Sequence, residues 1–291
     1  MNTRSPWFIA AAAVGVVALL GGGGLALALR PDPSTEVPAL ATTVQATDEQ
    51  VAAAARTKVF FAHQSVGRDV LRVLPEFYAA RDVPQPEVVQ STEPLDLPGG
   101  YLEQVDIGVN GDPLGKIADF ERYVRAGIGD TAQVAVLKFC FLDITADHDV
   151  DAVLQSYTAT LEALARDYPD LAVVAATVPV TQERGLEWRA KALIGRDDGL
   201  GPEHNIVRER FNSTLRERYA GPGELLDLGA VMSTTDDGVR HRRTHDGEVW
   251  FGLEARWARD PAHLNDAGGL FGNAVFARVV AEAAQSGGIG G

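Results

Sequence analysis

The stretch Lys58-Val-Phe-Phe-Ala-His-Gln-Ser-Val-Gly-Arg-Asp-Val-Leu71 decides the fold. Val59, Phe60 and Phe61 form a short β-branched and aromatic run, Gly67 supplies backbone freedom, and Val66, Val70, Leu71 and Leu74 recur at helical spacing. The pattern is that of a buried strand entering a turn and then a helix. Ser65 falls on the turn, at the carboxyl end of the strand and beside a helix N-terminus, where unpaired backbone N–H groups favour an anion. Two uses fit this position, a presented nucleophile or an ordinary helix cap, since serine is a preferred N-cap.

Outward from this unit, strands and helices alternate. Residues 116–126 place Ile117, Phe120, Tyr123 and Val124 on one helical face, and residues 133–143 form a nearly continuous apolar strand of the kind buried in a parallel sheet. Residues 150–167 follow as an amphipathic helix, 171–179 as the next strand, 205–219 as a helix, 225–228 as a short strand and 270–284 as a closing helix. This alternation is the signature of a wound α/β sheet covered on both faces. Lys138 and Asp143 interrupt the apolar strand, and a structural ion pair is the expected use of such a lysine. Residues 84–115 are broken repeatedly by proline and glycine, which reads as a long loop with a brief strand only at Val88-Val-Gln90. Within it, Asn110-Gly-Asp-Pro113 is a turn. Residues 182–201 read as irregular and 233–257 as a surface hairpin or insertion. His241 and His245 in that insertion lack the glutamate-containing pattern of a zinc helix.

With 291 residues, 46% of them hydrophobic, the chain can bury the core of one large α/β domain. A net charge of -14 argues against nucleic acid as a partner, because phosphate binding needs a basic face. The single Cys140 excludes an intramolecular disulfide and a cysteine metal cluster. Residues 7–29 carry no charge and are long enough to cross a bilayer as a helix. Residues 1–30 are therefore expected to be a signal anchor, or a signal peptide cut after Ala26-Leu-Ala28. The folded part then lies outside the cytoplasm, held by one pass in the cell membrane or secreted if cleaved. Residues 31–47, with Pro31, Pro33 and Pro38, read as a flexible linker, 48–285 as the folded domain and 286–291 as a disordered tail.

Near the end of the chain, Asp260-Pro-Ala-His-Leu-Asn265 places a carboxylate three positions before an imidazole in a turn. That spacing lets Asp260 hold one ring nitrogen of His263 while the other faces a nucleophile.

Taken together, Phe61-Ala-His-Gln-Ser-Val-Gly67 and Asp260-Pro-Ala-His-Leu-Asn265 resemble the nucleophile block and the Asp/His block of the SGNH (GDSL-like) hydrolases, over roughly residues 58–284. The strand before Asp143, the Thr177-Val-Pro179 strand end and the asparagines at 205 and 212 fit the same resemblance. It implies a flavodoxin-like three-layer α/β/α sandwich, with Ser65 as nucleophile, His263 as general base and Asp260 as its orienter. Two departures stand out. His63 and Gln64 precede the serine where Gly-Asp is usual, and Leu142 stands where the family's oxyanion asparagine is expected. The oxyanion hole is then expected from the N–H of Ser65 and the Asn110-Gly111 turn. The resemblance implies an ester hydrolase needing neither metal nor cofactor, acting on a small-molecule, polysaccharide or lipid ester. An O-acyltransferase and a non-catalytic carbohydrate-binding module are the alternatives.

Overall fold

Lys58–His63 is buried on both faces from Val59 onward, which suits a strand only where helices cover both sides of a parallel sheet. The computed structural model describes residues 32–182 and 198–290. In chain order its strands are β1 (Ser34–Pro38), β2 (Lys58–His63), β3 (Glu87–Gln90), β4 (Tyr101–Asp106), β5 (Val134–Leu137), β6 (Ala172–Ala176), β7 (Leu225–Leu226), β8 (Val239–His245), β9 (Glu248–Trp250), β10 (Ala258–Asp260) and β11 (His263–Leu264). The principal helices are α1 (Asp48–Arg56), α2 (Val66–Arg72), α3 (Leu74–Ala79), α4 (Pro113–Tyr123), α5 (Val150–Asp167), α6 (Pro202–Arg218), α7 (Leu228–Met232) and α8 (Asp266–Ser286).

Six strands form one parallel sheet in the order β3-β4-β2-β5-β6-β7. The chain leaves β2 for one side of the sheet and later crosses to the other, so β2 marks the point where the winding reverses. Alternate side chains feed two cores. Phe60, Ala62, Ala135, Leu137 and Val173 pack under α4, α5 and α6, whereas Val59, Phe61, Val134, Val136 and Val174 pack under α1, α3 and α8. The result is the expected α/β/α sandwich with a flavodoxin-like reversal. In such sheets the crevice beyond the carboxyl ends of the strands at the reversal is where ligands bind.

Several expectations are corrected. Residues 31–47 do not form a linker throughout, because β1 pairs antiparallel with β8 in a separate β1-β8-β9 sheet. Ahead of β1, Asp32 accepts from His245 Nδ1 at 3.0 Å and Trp250 Nε1 at 3.0 Å. The end of the chain is also fastened, since Ile289 is buried and its N–H donates to the Val173 carbonyl at 3.0 Å. The long loop expected over 84–115 contains the inner strand β4. The expected hairpin in 233–257 is β8–β9, with His241 Nδ1 against Glu254 Oε1 at 2.8 Å. The anchor expected in residues 1–30 and most of the irregular segment 182–201 lie outside the described residues. Among the described residues no helix is long and apolar enough to cross a membrane.

Glu103, on β4, is fully buried, and neither carboxylate oxygen has a hydrogen-bond partner. Burial pushes its pKa up to about 7, with the nearby Ser91 hydroxyl opposing. A folded-state pKa above the unfolded one means that the stability contributed is complete below the unfolded value, near 4.5, and lost as pH rises through 7. Glu103→Gln is therefore expected to raise the thermal midpoint at pH 8 and to leave it nearly unchanged below the unfolded pKa. Melting curves at the two pH values check this.

Candidate active site

The turn after β2 is tight and strained. Ser65 adopts φ 54°, ψ -104°, in the left-handed region that non-glycine residues rarely enter. It occupies the cap position of α2, yet its side chain makes no capping bond. The hydroxyl instead lies 2.6 Å from His263 Nε2. Space for the turn depends on Gly67, where an added Cβ would sit 2.5 Å from the His63 ring. That ring is fully buried, with Nε2 3.0 Å from Gln104 Oε1. Burial, and then the Lys138 cation, push the His63 pKa down to about 3. His63 is thus a neutral wedge beneath the turn.

The second half of the site comes from the β10–β11 hairpin, in which Asp260 pairs with His263. His263 Nδ1 lies 2.8 Å from Asp260 Oδ1 and 2.9 Å from Oδ2. Donation of Nδ1–H to the carboxylate leaves Nε2 as the acceptor that faces the Ser65 hydroxyl. Burial pushes the Asp260 pKa up, but the Ala262 N–H, His263 and Arg259 together outweigh it and hold the carboxyl below its ordinary value. Asp69, one turn along α2 from Ser65, is buried and accepts from Leu264 N–H at 3.1 Å and Arg259 Nη1 at 2.6 Å. This clamp joins the serine helix to the histidine hairpin. Asn265 then caps α8 by accepting from Gly268 N–H at 2.9 Å.

The oxyanion side differs from expectation. The Gly111 N–H donates to Asp143 Oδ1 at 2.8 Å, so it is not an open donor. Asp143 Oδ2 in turn accepts from Lys116 Nζ and from Cys140 N–H, each at 2.6 Å. Lys116 Nζ also donates to Asn110 Oδ1 at 2.8 Å. The Asn110-Gly111 turn is thereby drawn onto a fully buried ion pair, and the Asn110 amide nitrogen is left without a partner among the described residues. The Ser65 N–H likewise makes no hydrogen bond among the described residues. Asp143 is paired with Lys116 rather than with Lys138, because Lys138 Nζ donates to the Gln64 carbonyl at 2.6 Å. Leu142 joins Cys140, Phe141, Leu200 and Ala262 in an apolar cluster, and the Phe141 ring meets the His263 ring edge-on at 6.3 Å.

The structure therefore brings Ser65, His263 and Asp260 together at the reversal of the sheet and commits the Gly111 N–H to Asp143. Lys116, Asp69 and the Gln64 contact of Lys138 were not assigned from sequence, because sequence-distant pairing leaves no local pattern. The buried Asn205 and Asn212 hold the chain after β6. Asn212 accepts from Val178 N–H at 2.7 Å, and Asn205 from Thr181 N–H at 3.1 Å.

No protein-family model matches this sequence, and neither does any curated protein. Solved structures do resemble it. The periplasmic domain of a lipopolysaccharide acetyltransferase from Salmonella ser. Paratyphi A is 12% identical, with 77% of this chain and 82% of that one covered at a TM-score of 0.41. A candidate GDSL-like lipase from Parabacteroides merdae is 13% identical over 79% of this chain and 96% of that one, with a TM-score of 0.44. A candidate platelet activating factor protein from Streptococcus pneumonia is 15% identical over 79% and 90%, with a TM-score of 0.45.

Proposed function

We propose that this protein is a serine esterase in which Ser65 is the nucleophile, His263 the general base and Asp260 its orienter. The observation that carries the reading is the unbroken line from Ser65 Oγ to His263 Nε2 at 2.6 Å and from His263 Nδ1 to Asp260 at 2.8 Å. His263 takes the hydroxyl proton as Ser65 Oγ bonds to the ester carbonyl carbon. The resulting oxyanion is held by the Ser65 N–H. Collapse breaks the bond to the alcohol, which leaves with the proton from His263, and water then releases the acyl group by the same steps. The Phe141 ring beside His263, clustered with Leu142 and Ala262, suits a short acyl chain such as acetyl. An acetylated polysaccharide or a lipid ester is the substrate class we favour.

The test is hydrolysis of p-nitrophenyl acetate by the full chain, together with labelling by a fluorophosphonate. Both are expected in the parent and absent in Ser65→Ala. A folded parent that neither hydrolyses nor labels would sink the esterase reading and leave a binding module on the same fold. Faster release of the nitrophenol on adding a sugar with free hydroxyls, with the acetylated sugar formed as product, would point to transfer.

A further inference from the structure

Lys138 is the group whose placement the triad does not use. It follows β5 on the face that carries His63, it is fully buried, and among the described residues its ammonium group has one hydrogen-bond acceptor, the Gln64 carbonyl at 2.6 Å. Gln64 O and Ser65 N–H belong to the same peptide unit. Its conjugation couples the two ends, so a cation drawing electron density toward the oxygen leaves the N–H more positive. A charge-assisted contact of this kind is roughly twice as strong as a neutral one.

Other features of the site make this coupling matter. Leu142 supplies no donor, and the Gly111 N–H is engaged by Asp143. The Ser65 N–H, without an acceptor among the described residues, is therefore a backbone donor available beside the nucleophile. Burying an ammonium group beneath it is costly, and the apolar strand around it would accept a methionine. Resting on the esterase reading above, we propose that Lys138 is a positioning residue of the oxyanion site, which polarises the Gln64–Ser65 peptide and strengthens the Ser65 N–H as a donor to the tetrahedral intermediate. It transfers no proton and touches no substrate.

The effect depends on the ammonium form. Burial is the main influence on Lys138 and lowers its pKa to about 8; Lys116 acts in the same direction, while Cys140, Asp143 and Asp69 oppose it, and the facing His63 is neutral. The cation is thus present at neutral pH and lost as pH rises through 8.

The experiment compares kcat and KM for p-nitrophenyl acetate in the parent, Lys138→Met and Lys138→Gln, from neutral pH to about pH 10, with spontaneous hydrolysis subtracted and folding checked by circular dichroism. Both variants are expected to lose about 10- to 100-fold in kcat with little change in KM. The parent kcat should fall above pH 8, and that alkaline fall should vanish in the variants. An unchanged kcat in a folded variant overturns the proposal, as does an alkaline fall that persists without Lys138. Should neither variant fold, the parent profile decides alone, and a flat alkaline limb overturns it. A parent with no Ser65-dependent hydrolysis is a separate outcome, which removes the esterase reading and this inference with it.

Discussion

His263→Ala is expected to lower kcat for ester hydrolysis by about 10⁴- to 10⁶-fold while leaving the fold intact. In the proposed mechanism the three groups act as a unit: without a base 2.6 Å from Ser65 Oγ, the hydroxyl keeps its proton and ceases to be a useful nucleophile. Asp260→Asn should cost about 10⁴-fold by a different route, since an amide facing Nδ1 favours the tautomer that places the proton on Nε2, where it blocks proton uptake from Ser65. Neither side chain is deeply buried, at 30% and 42% exposure, so melting temperatures should change little. Steady-state kinetics on the two purified variants make the comparison. Retention of more than a few per cent of the parent kcat by His263→Ala would show that another base serves Ser65.

The second large effect is on stability. Lys116 and Asp143 are both fully buried, and their contact spans the helix α4 and the segment after β5. Lys116→Ala removes the cation and leaves a carboxylate that still draws in Gly111 N–H and Cys140 N–H but has no countercharge. Breaking a buried pair in this way costs about 3–5 kcal/mol, corresponding to a thermal midpoint lower by about 10 °C for a domain of this size. Replacing both partners, as Lys116→Met with Asp143→Leu, should recover much of the loss, because the uncompensated charge is then gone. Calorimetry on the single and double variants distinguishes this account from simple loss of packing, under which the double variant would be no better.

The sequence was most legible where a single element carried its own pattern. Phe60, Phe61 and Ala62 marked the central strand β2, and the periodicity of residues 150–167 marked α5 to the residue. The serine and the Asp/His turn were recognisable because each sits in a short block of distinctive chemistry. β4 escaped notice for a physical reason: Glu103 and Gln104 occupy the middle of Tyr101–Asp106, and both are polar residues in a strand that tertiary structure nevertheless encloses. Its flanking glycines strengthened the appearance of a loop. Lys138 stood out as anomalous, but the sequence offered Asp143 as its nearest carboxylate. Only the topology, which carries Lys116 on α4 across to Asp143, shows that this carboxylate is already taken.

The docking of β1 changes how far the domain can roam. A flexible leash over residues 31–47 would let the domain wander by about 20 Å r.m.s. from its point of attachment. With Asp32 bound to His245 and Trp250, and Ser34–Pro38 zipped to β8, the chain from Asp32 to Pro38 belongs to the folded body instead. Were residues 7–29 the proposed anchor, the fastened start of the body at Asp32 would lie close to it in the chain. Under the proposed anchor and the proposed esterase, the esters that Ser65 could reach would be set by height above the membrane as much as by their chemistry.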